Sequence, residues 1–337
     1  MSGAVSIMLP SLPARMSEVG GYAELVSTGR AERLWIGQSI LLEPHQVMAY
    51  LAGRDVRIPV GTAVTLMPLR HPLEAALQAR SLAALTGHSV VAGLGTGPSQ
   101  FVAALRGKRY SSPLRAVREY ASVMRALLSY DSTRFDGEYY SHEWPLPWIE
   151  HPRVYLGLGV LRRRMAVLAG EVADAVITWL APLGHLAEVL RPAVVAGSTA
   201  AGRPVPRIVA AVGVALDGEG RDPLDLTLAA YAGHLTAPHY RAMFREAGLS
   251  VGPSQPAFGA GHLLAHEVVL TGDPARVADG IRRYWAAGVD EVVLHAGGVR
   301  TRYGDDQALA DLNRVLDALA ATDTATAAPL GQPGAGS

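Results

Sequence analysis

Apolar and polar positions along this chain fall into two alternating rhythms. Short apolar runs recur at residues 5–9, 33–36, 57–64, 89–94, 153–160, 173–179, 207–216 and 290–295. Between them, apolar residues return at the three-to-four spacing of a helix buried on one side. That spacing predicts helices over 17–27, 43–51, 73–85, 114–128, 162–169 and 274–287, and over 224–247 with a break near Pro238. Strands that read as continuous apolar runs are buried on both faces, and alternation of such strands with helices predicts a parallel sheet closed into a (β/α)8 barrel. A doubly wound open sheet is the alternative, but the glycine fingerprint of a dinucleotide fold does not follow the first strand.

Residues 57–101 carry the clearest unit. A strand ends in Gly61-Thr62-Ala63-Val64-Thr65, and Arg70-His71-Pro72 starts a helix, since proline is tolerated at the first helical position where its missing N–H has no partner to lose. Val90-Val91-Ala92-Gly93-Leu94 then runs directly into Gly95-Thr96-Gly97-Pro98, where glycine lets a ligand approach the backbone. Barrels place their sites at the carboxyl ends of the strands, so the loops at 37–40, 63–67, 95–100, 157–161, 179–182 and 295–302 are the positions to examine. Gly157-Leu158-Gly159 opens a helix whose free N–H groups suit a phosphate, with Arg162, Arg163 and Arg164 following. Asp273 before Pro274 reads as a helix cap.

The segment from Gly61 through Arg70-His71-Pro72 to Gly97 resembles the third and fourth strands of the bacterial luciferase-like monooxygenase superfamily, and the likeness extends over roughly 5–319. The resemblance implies a (β/α)8 TIM barrel with insertion segments that binds FMN or the deazaflavin coenzyme F420. It places a non-proline cis peptide at Ala63-Val64 and assigns Ala63, Val64, Thr65, Thr96, Gly97, Pro98, Gly157, Leu158, Gly159 and Trp179 to cofactor binding. The ending Leu294-His295-Ala296-Gly297-Gly298 is similar to the F420-dependent branch, where Arg300 and Arg302 would neighbour the anionic part of the cofactor. The family generally forms homodimers.

Departures from the family pattern direct the chemistry. In the F420-dependent sugar-phosphate dehydrogenase a histidine follows the second strand and a glutamate follows the glycine loop. Here those places hold Gln38-Ser39 and Pro98, so the base needed to oxidise an alcohol is missing. Reduction of an activated C=C or C=N bond needs only a hydride and one proton. Ser39, Gln38 and Tyr110 are carried as the candidate catalytic residues, with His142, His234, His239 and Tyr240 as further proton donors. By family analogy the substrate class extends to dehydroalanine in a lanthipeptide-type ribosomal peptide. An FMN-dependent monooxygenase is the second expectation, and a non-catalytic cofactor-binding barrel the third.

Composition narrows the partners. The chain has 337 residues, with 30 basic and 30 acidic side chains, and offers no net charge to nucleic acid or an anionic membrane. With no cysteine, disulfides, thiolate nucleophiles and cysteine-bound metals are excluded, and no metal site is expected. The start lacks a basic and apolar targeting pattern, which predicts a cytoplasmic protein. Residues 1–321 are expected to be one catalytic domain. Residues 131–149 read as an aromatic and proline-rich excursion, which the resemblance places on the outside or the rim of the barrel, and residues 322–337, poor in large apolar side chains, as a disordered tail.

Overall fold

The apolar runs become the parallel strands of one closed sheet. In the computed structural model, which describes residues 3–131, 134–252 and 254–326, they are β1 (Ala4–Met8), β2 (Leu34–Ile36), β3 (Val60–Thr62), β4 (Val90–Gly95), β5 (Val154–Gly159), β6 (Ala175–Trp179), β7 (Arg207–Leu216) and β8 (Glu291–His295). Each pairs in parallel with its neighbour, and β8 returns to β1 through Val5↔Val292. Closure comes from β7, which pairs with β6 at Val209↔Ile177 and with β8 at Val209↔Glu291. The architecture is the expected (β/α)8 barrel.

Alternation along the strands makes two apolar layers. Leu34, Leu94, Leu156, Leu158 and Leu294 face outward to the helices, whereas Met8, Trp35, Val91, Ile177, Val209 and Val293 fill the barrel. Trp35 is fully buried, and its indole N–H donates to Glu291 Oε1 at 2.7 Å. The Ser6 hydroxyl donates to the same oxygen at 2.6 Å, and Arg207 approaches the other at 3.5 Å. A buried carboxylate is tolerable only with partners of this kind. Together they close the amino-terminal end of the barrel.

The helices are α1 (Gly20–Ser27), α2 (Pro44–Gly53), α3 (Pro72–Thr86), α4 (Ser99–Arg106), α5 (Pro113–Leu128), α6 (Arg163–Val172), α7 (Arg191–Ala200), α8 (Pro223–Thr236), α9 (Pro238–Glu246), α10 (Pro256–Ala265), α11 (Pro274–Ala286) and α12 (Gly297–Thr326). Glu43, His71, Ser112, Asp222 and Asp273 each cap a helix whose first residue is proline. The sequence pattern did not predict α4, α7 or α10. Gly184, Pro192 and Gly197 interrupt the periodicity around α7, which a π turn (Leu186–Leu190) precedes. A short strand, Val269–Gly272, was also missed; it pairs with the far half of β7 at Gly213↔Val269, beyond Ala211↔Trp179 where the pairing with β6 ends.

Two boundaries differ from the expectation. The terminal helix α12, kinked at Gly304, runs through Thr326 into the stretch expected to be a disordered tail, and residues 327–337 lie outside those described. The described part of the excursion forms a two-strand ladder, Phe135–Asp136 with Ser141–His142, on the outer face of α5. Glu119 of α5 accepts from the backbone N–H groups of Glu138, Tyr139 and Tyr140 at 3.1, 2.7 and 3.2 Å. Among the described residues no helix is long and apolar enough to cross a membrane.

Candidate active site

At the carboxyl ends of the strands the barrel opens into a cleft of about 1720 Å³. Its floor is the junction of β3, β4 and β5. The Ala63-Val64 peptide is cis, as the resemblance implied. Val64 is seated over two glycines: a Cβ on Gly95 would come within 2.5 Å of its Cγ2, and one on Gly159 within 3.3 Å of its Cγ1. Gly97 has φ +74°, a conformation side chains disfavour, and this bends the chain so that Thr96, Gly97 and Pro98 line the cleft.

Gln38 fixes this floor from the side. Its backbone N–H donates to Val64 O at 3.2 Å, its Oε1 accepts from Leu66 N–H at 3.3 Å and from Arg70 Nη2 at 3.4 Å, and its Nε2 donates to Ser39 O at 2.9 Å. These bonds tie the loop after β2 to the loop after β3 and use the carbonyl oxygen and one of the two amide hydrogens. Gln38 lines the cleft with these bonds made.

Of the other residues singled out in the sequence, Ala63, Val64, Thr96, Gly97, Pro98, Gly159 and Trp179 meet around the cleft. Ser39, Thr65, Tyr110, Gly157 and Leu158 are not brought to it. The Ser39 hydroxyl is buried and accepts from Leu41 N–H at 2.9 Å. The Tyr110 hydroxyl lies 2.6 Å from that of Tyr140, under the excursion. Thr65 donates to Gly93 O at 3.0 Å. Gly157 and Leu158 follow the alternation of β5: a Cβ on Gly157 would strike Ile177 at 2.8 Å, and Leu158 points into the outer layer.

A cluster that the sequence did not reveal forms the opposite wall. Trp179, at the end of β6, has its ring centre 4.9 Å from that of His295, 5.9 Å from Tyr231 and 5.7 Å from His234. The Tyr231 hydroxyl is 2.8 Å from His295 Nδ1. Burial, then the neighbouring His234, pushes the pKa of His295 down to about 3 against the opposing pull of the Pro10 carbonyl. Burial, then His239, takes that of His234 down to about 4. Both imidazoles are therefore neutral near pH 7. The indole N–H of Trp179 is buried without a hydrogen-bond partner among the described residues. The sequence marked His295 only as the start of the loop at 295–302, without a role of its own; Tyr231, inside a helix, carried no local signal.

Charge is confined to one side. Arg109, Arg162, Arg163 and Arg164 line the cleft and are exposed, and their guanidinium groups have no ion-pair partner among the described residues. Glu246, also on the cleft, accepts from Arg163 N–H at 2.9 Å and so takes one of the N–H groups at the start of α6. The arginines expected to serve the cofactor from the chain's end are engaged elsewhere. Arg302 grips Asp225 with two bonds at 2.7 and 2.6 Å, and Arg300 pairs with Asp305 at 3.3 Å and Glu18 at 3.7 Å. Neither is on the cleft surface.

A sequence model described as luciferase-like monooxygenase matches residues 6–291. The F420-dependent glucose-6-phosphate dehydrogenase of Nocardia farcinica (strain IFM 10152) is 27% identical over 288 residues, covering 81% of this chain and 83% of that enzyme. Among solved structures, an F420-dependent secondary alcohol dehydrogenase in complex with an F420-acetone adduct aligns with TM-score 0.75 at 18% identity, over 94% of this chain and 99% of its own. The oxygenating constituent of 3,6-diketocamphane monooxygenase from Pseudomonas putida, in complex with FMN, aligns with TM-score 0.64 at 17% identity, over 94% and 97%. At such identities the two structures speak for the fold alone.

Proposed function

The chain belongs to the luciferase-like monooxygenase family, and we propose from this premise that it is a coenzyme F420-dependent reductase acting on an activated C=C or C=N bond. The observation that carries the reading is a cleft with a cofactor-shaped floor and no base at the ends of β2 and β4. Neither the amide of Gln38 nor Pro98 has a titratable group. A dehydrogenase needs a group to take the alcohol proton. A reductase does not.

The residues present fit a deazaflavin or flavin. Val64 on its glycine seat offers an apolar support for a ring, and the Trp179 indole offers an aromatic face on the opposite wall. Arg109, Arg162 and Arg164, with the start of α6, offer positive charge to a phosphate and an acidic tail. A bound reduced deazaflavin supplies a hydride. The chain's part is to hold the acceptor bond over Val64, keep water from the floor and let a proton arrive at the carbon or nitrogen that does not receive the hydride. Neutral His295, held between the Tyr231 hydroxyl and the Pro10 carbonyl, gives this wall a fixed, uncharged face beside the acceptor bond.

The same reading makes residues 1–321 one catalytic domain of a cytosolic homodimer. Tyr50, Leu77 and Leu85 leave apolar surface exposed on α2 and α3 for such a contact. Dehydroalanine peptides belong in the substrate panel beside enones and imines.

The test is titration of the purified protein with F420 and with FMN, followed by oxidation of the reduced form with and without oxygen. Deuterium passing from stereospecifically labelled F420H2 into a reduced product supports the reading. A product that requires FMN and consumes oxygen stoichiometrically would replace it with the monooxygenase alternative, which the family membership also favours. Binding of either cofactor without turnover of any substrate would leave the non-catalytic barrel.

A further inference from the structure

The charged groups on the cleft surface are strictly segregated. Arg109, Arg162, Arg163, Arg164 and Glu246 all come from the segments after β4 and β5 and from the end of α9. The loops after β1, β2 and β3 contribute Leu9, Pro10, Ser11, Leu12, Gly37, Gln38 and Leu66, none of them charged. Arg70, the cation behind this wall, is almost wholly covered and paired to Glu43 at 3.2 Å. His295 and His234 are held neutral by burial. One half of the cleft is thus suited to an anion, and the other carries no formal charge.

The neutral half continues onto the surface. Leu12 is 43% exposed, Ile40 81% and Leu41 59%. The β1 and β2 loops that bear them are joined by a hydrogen bond from Leu42 N–H to Pro13 O at 3.3 Å. Ser39, buried beneath, accepts from Leu41 N–H and so turns the chain outward at Ile40. Large apolar side chains held in the open beside a cleft mark a binding surface.

We propose that the neutral half takes an uncharged, lipophilic substrate, an electron-poor alkene or imine with an apolar substituent, and that this substituent leaves the barrel across Leu12, Ile40 and Leu41. The nature of the reacting bond rests on the reductase reading; the lack of charge and the apolar exit rest on the cleft alone. A sugar phosphate or other anion would find its complement only on the arginine side, which the cofactor's own anionic groups occupy.

The experiment is calorimetric titration of the full chain with 3-alkyl-2-cyclohexenones bearing methyl to hexyl chains, in the wild type and in the double variant Ile40→Asp/Leu41→Asp. A buried methylene is worth about fourfold in affinity, so a half-covered one at the rim should give about twofold per added carbon. The expected result is that slope in the wild type and its loss in the variant, with F420 affinity and sedimentation unchanged. No slope in the wild type, no binding of any member, or an equal slope in the variant overturns the proposal. So does a change in sedimentation from dimer to monomer, which would assign Ile40 and Leu41 to a contact between copies. If the slope is present but F420H2 is never oxidised, the reductase reading fails and the assignment of the neutral half stands.

Discussion

The hydroxyl of Tyr231 and Nδ1 of His295 form a 2.8 Å hydrogen bond between α8 and the end of β8, inside the wall of the cleft. The Tyr231→Phe variant leaves that imidazole nitrogen buried and unmatched. A loss of about 1–3 kcal/mol is expected in chemical denaturation. Turnover should fall while F420 affinity holds, because His295 lines the cleft on the wall opposite the glycine floor. An unchanged turnover number with an intact fold would remove His295 from the chemistry.

Acid should act on the same histidine. Its folded pKa, about 3, lies below the ordinary histidine value of 6.5, so the unfolded chain binds the proton more readily. The stability it contributes is complete above pH 6.5 and is lost as pH falls towards the folded value. A His295→Gln variant should therefore lose less stability than the wild type between pH 6.5 and 4. Thermal denaturation at several pH values checks this, and parallel curves would contradict it.

Gly97→Asp is expected to lower cofactor affinity at least ~10-fold. It places a side chain at a φ of +74° and a negative charge beside the path of an anionic ligand. Gly159→Asp should do the same, since even a Cβ there comes within 3.3 Å of Val64. Circular dichroism separates loss of the site from loss of the fold. Native spectra with wild-type affinity in both variants would dismiss the proposed floor.

Salt should weaken cofactor binding through the exposed arginines. Arg162→Ala/Arg164→Ala is expected to reduce F420 affinity several-fold at low ionic strength and to flatten its dependence on salt, as screening of exposed charges requires. Arg302→Ala is the control: its guanidinium is committed to Asp225, away from the cleft. Titrations at two salt concentrations decide the matter, and an equal effect of the control would return the anion site to the chain's end.

Replacing Glu119 by Ala would strip the acceptor from the N–H groups of Glu138, Tyr139 and Tyr140. Burial raises the pKa of this carboxyl, but those N–H groups and Arg115 outweigh burial and hold it below its usual value. Its contribution is thus present above the ordinary carboxylate range and declines as pH falls through the folded value. Faster proteolysis within residues 131–149 is the expected sign. Proteolysis at the wild-type rate would mean the excursion is held by other contacts.

Local signals explain what the sequence disclosed about the site. Ala63, Val64, Gly95 and Gly97 stand where a strand passes into a loop, and that transition is written in neighbouring residues. The Tyr231 and His295 pair is separated by 64 positions and comes together only when α8 packs beside the end of β8. Gly157 and Leu158 were grouped with Gly159 because a motif reads as a block, whereas a strand deals alternate residues to opposite faces. Tyr110 looked available because its partner, Tyr140, lies 30 residues on in the excursion. The eight-strand order was legible for a different reason: apolar runs buried on both faces have few other parallel arrangements.

The carboxylate of Glu291 accepts from Ser6 and Trp35, residues made 285 and 256 positions earlier. During synthesis the indole of Trp35 has no acceptor until nearly the whole chain has left the ribosome, and until then the growing sheet keeps two open edges. Bringing ends so distant together carries a loop-closure entropy that the last strand alone can redeem. A nascent chain halted before residue 291 is therefore a client for chaperones, and its exposed strand edges are where it would associate with other unfinished copies.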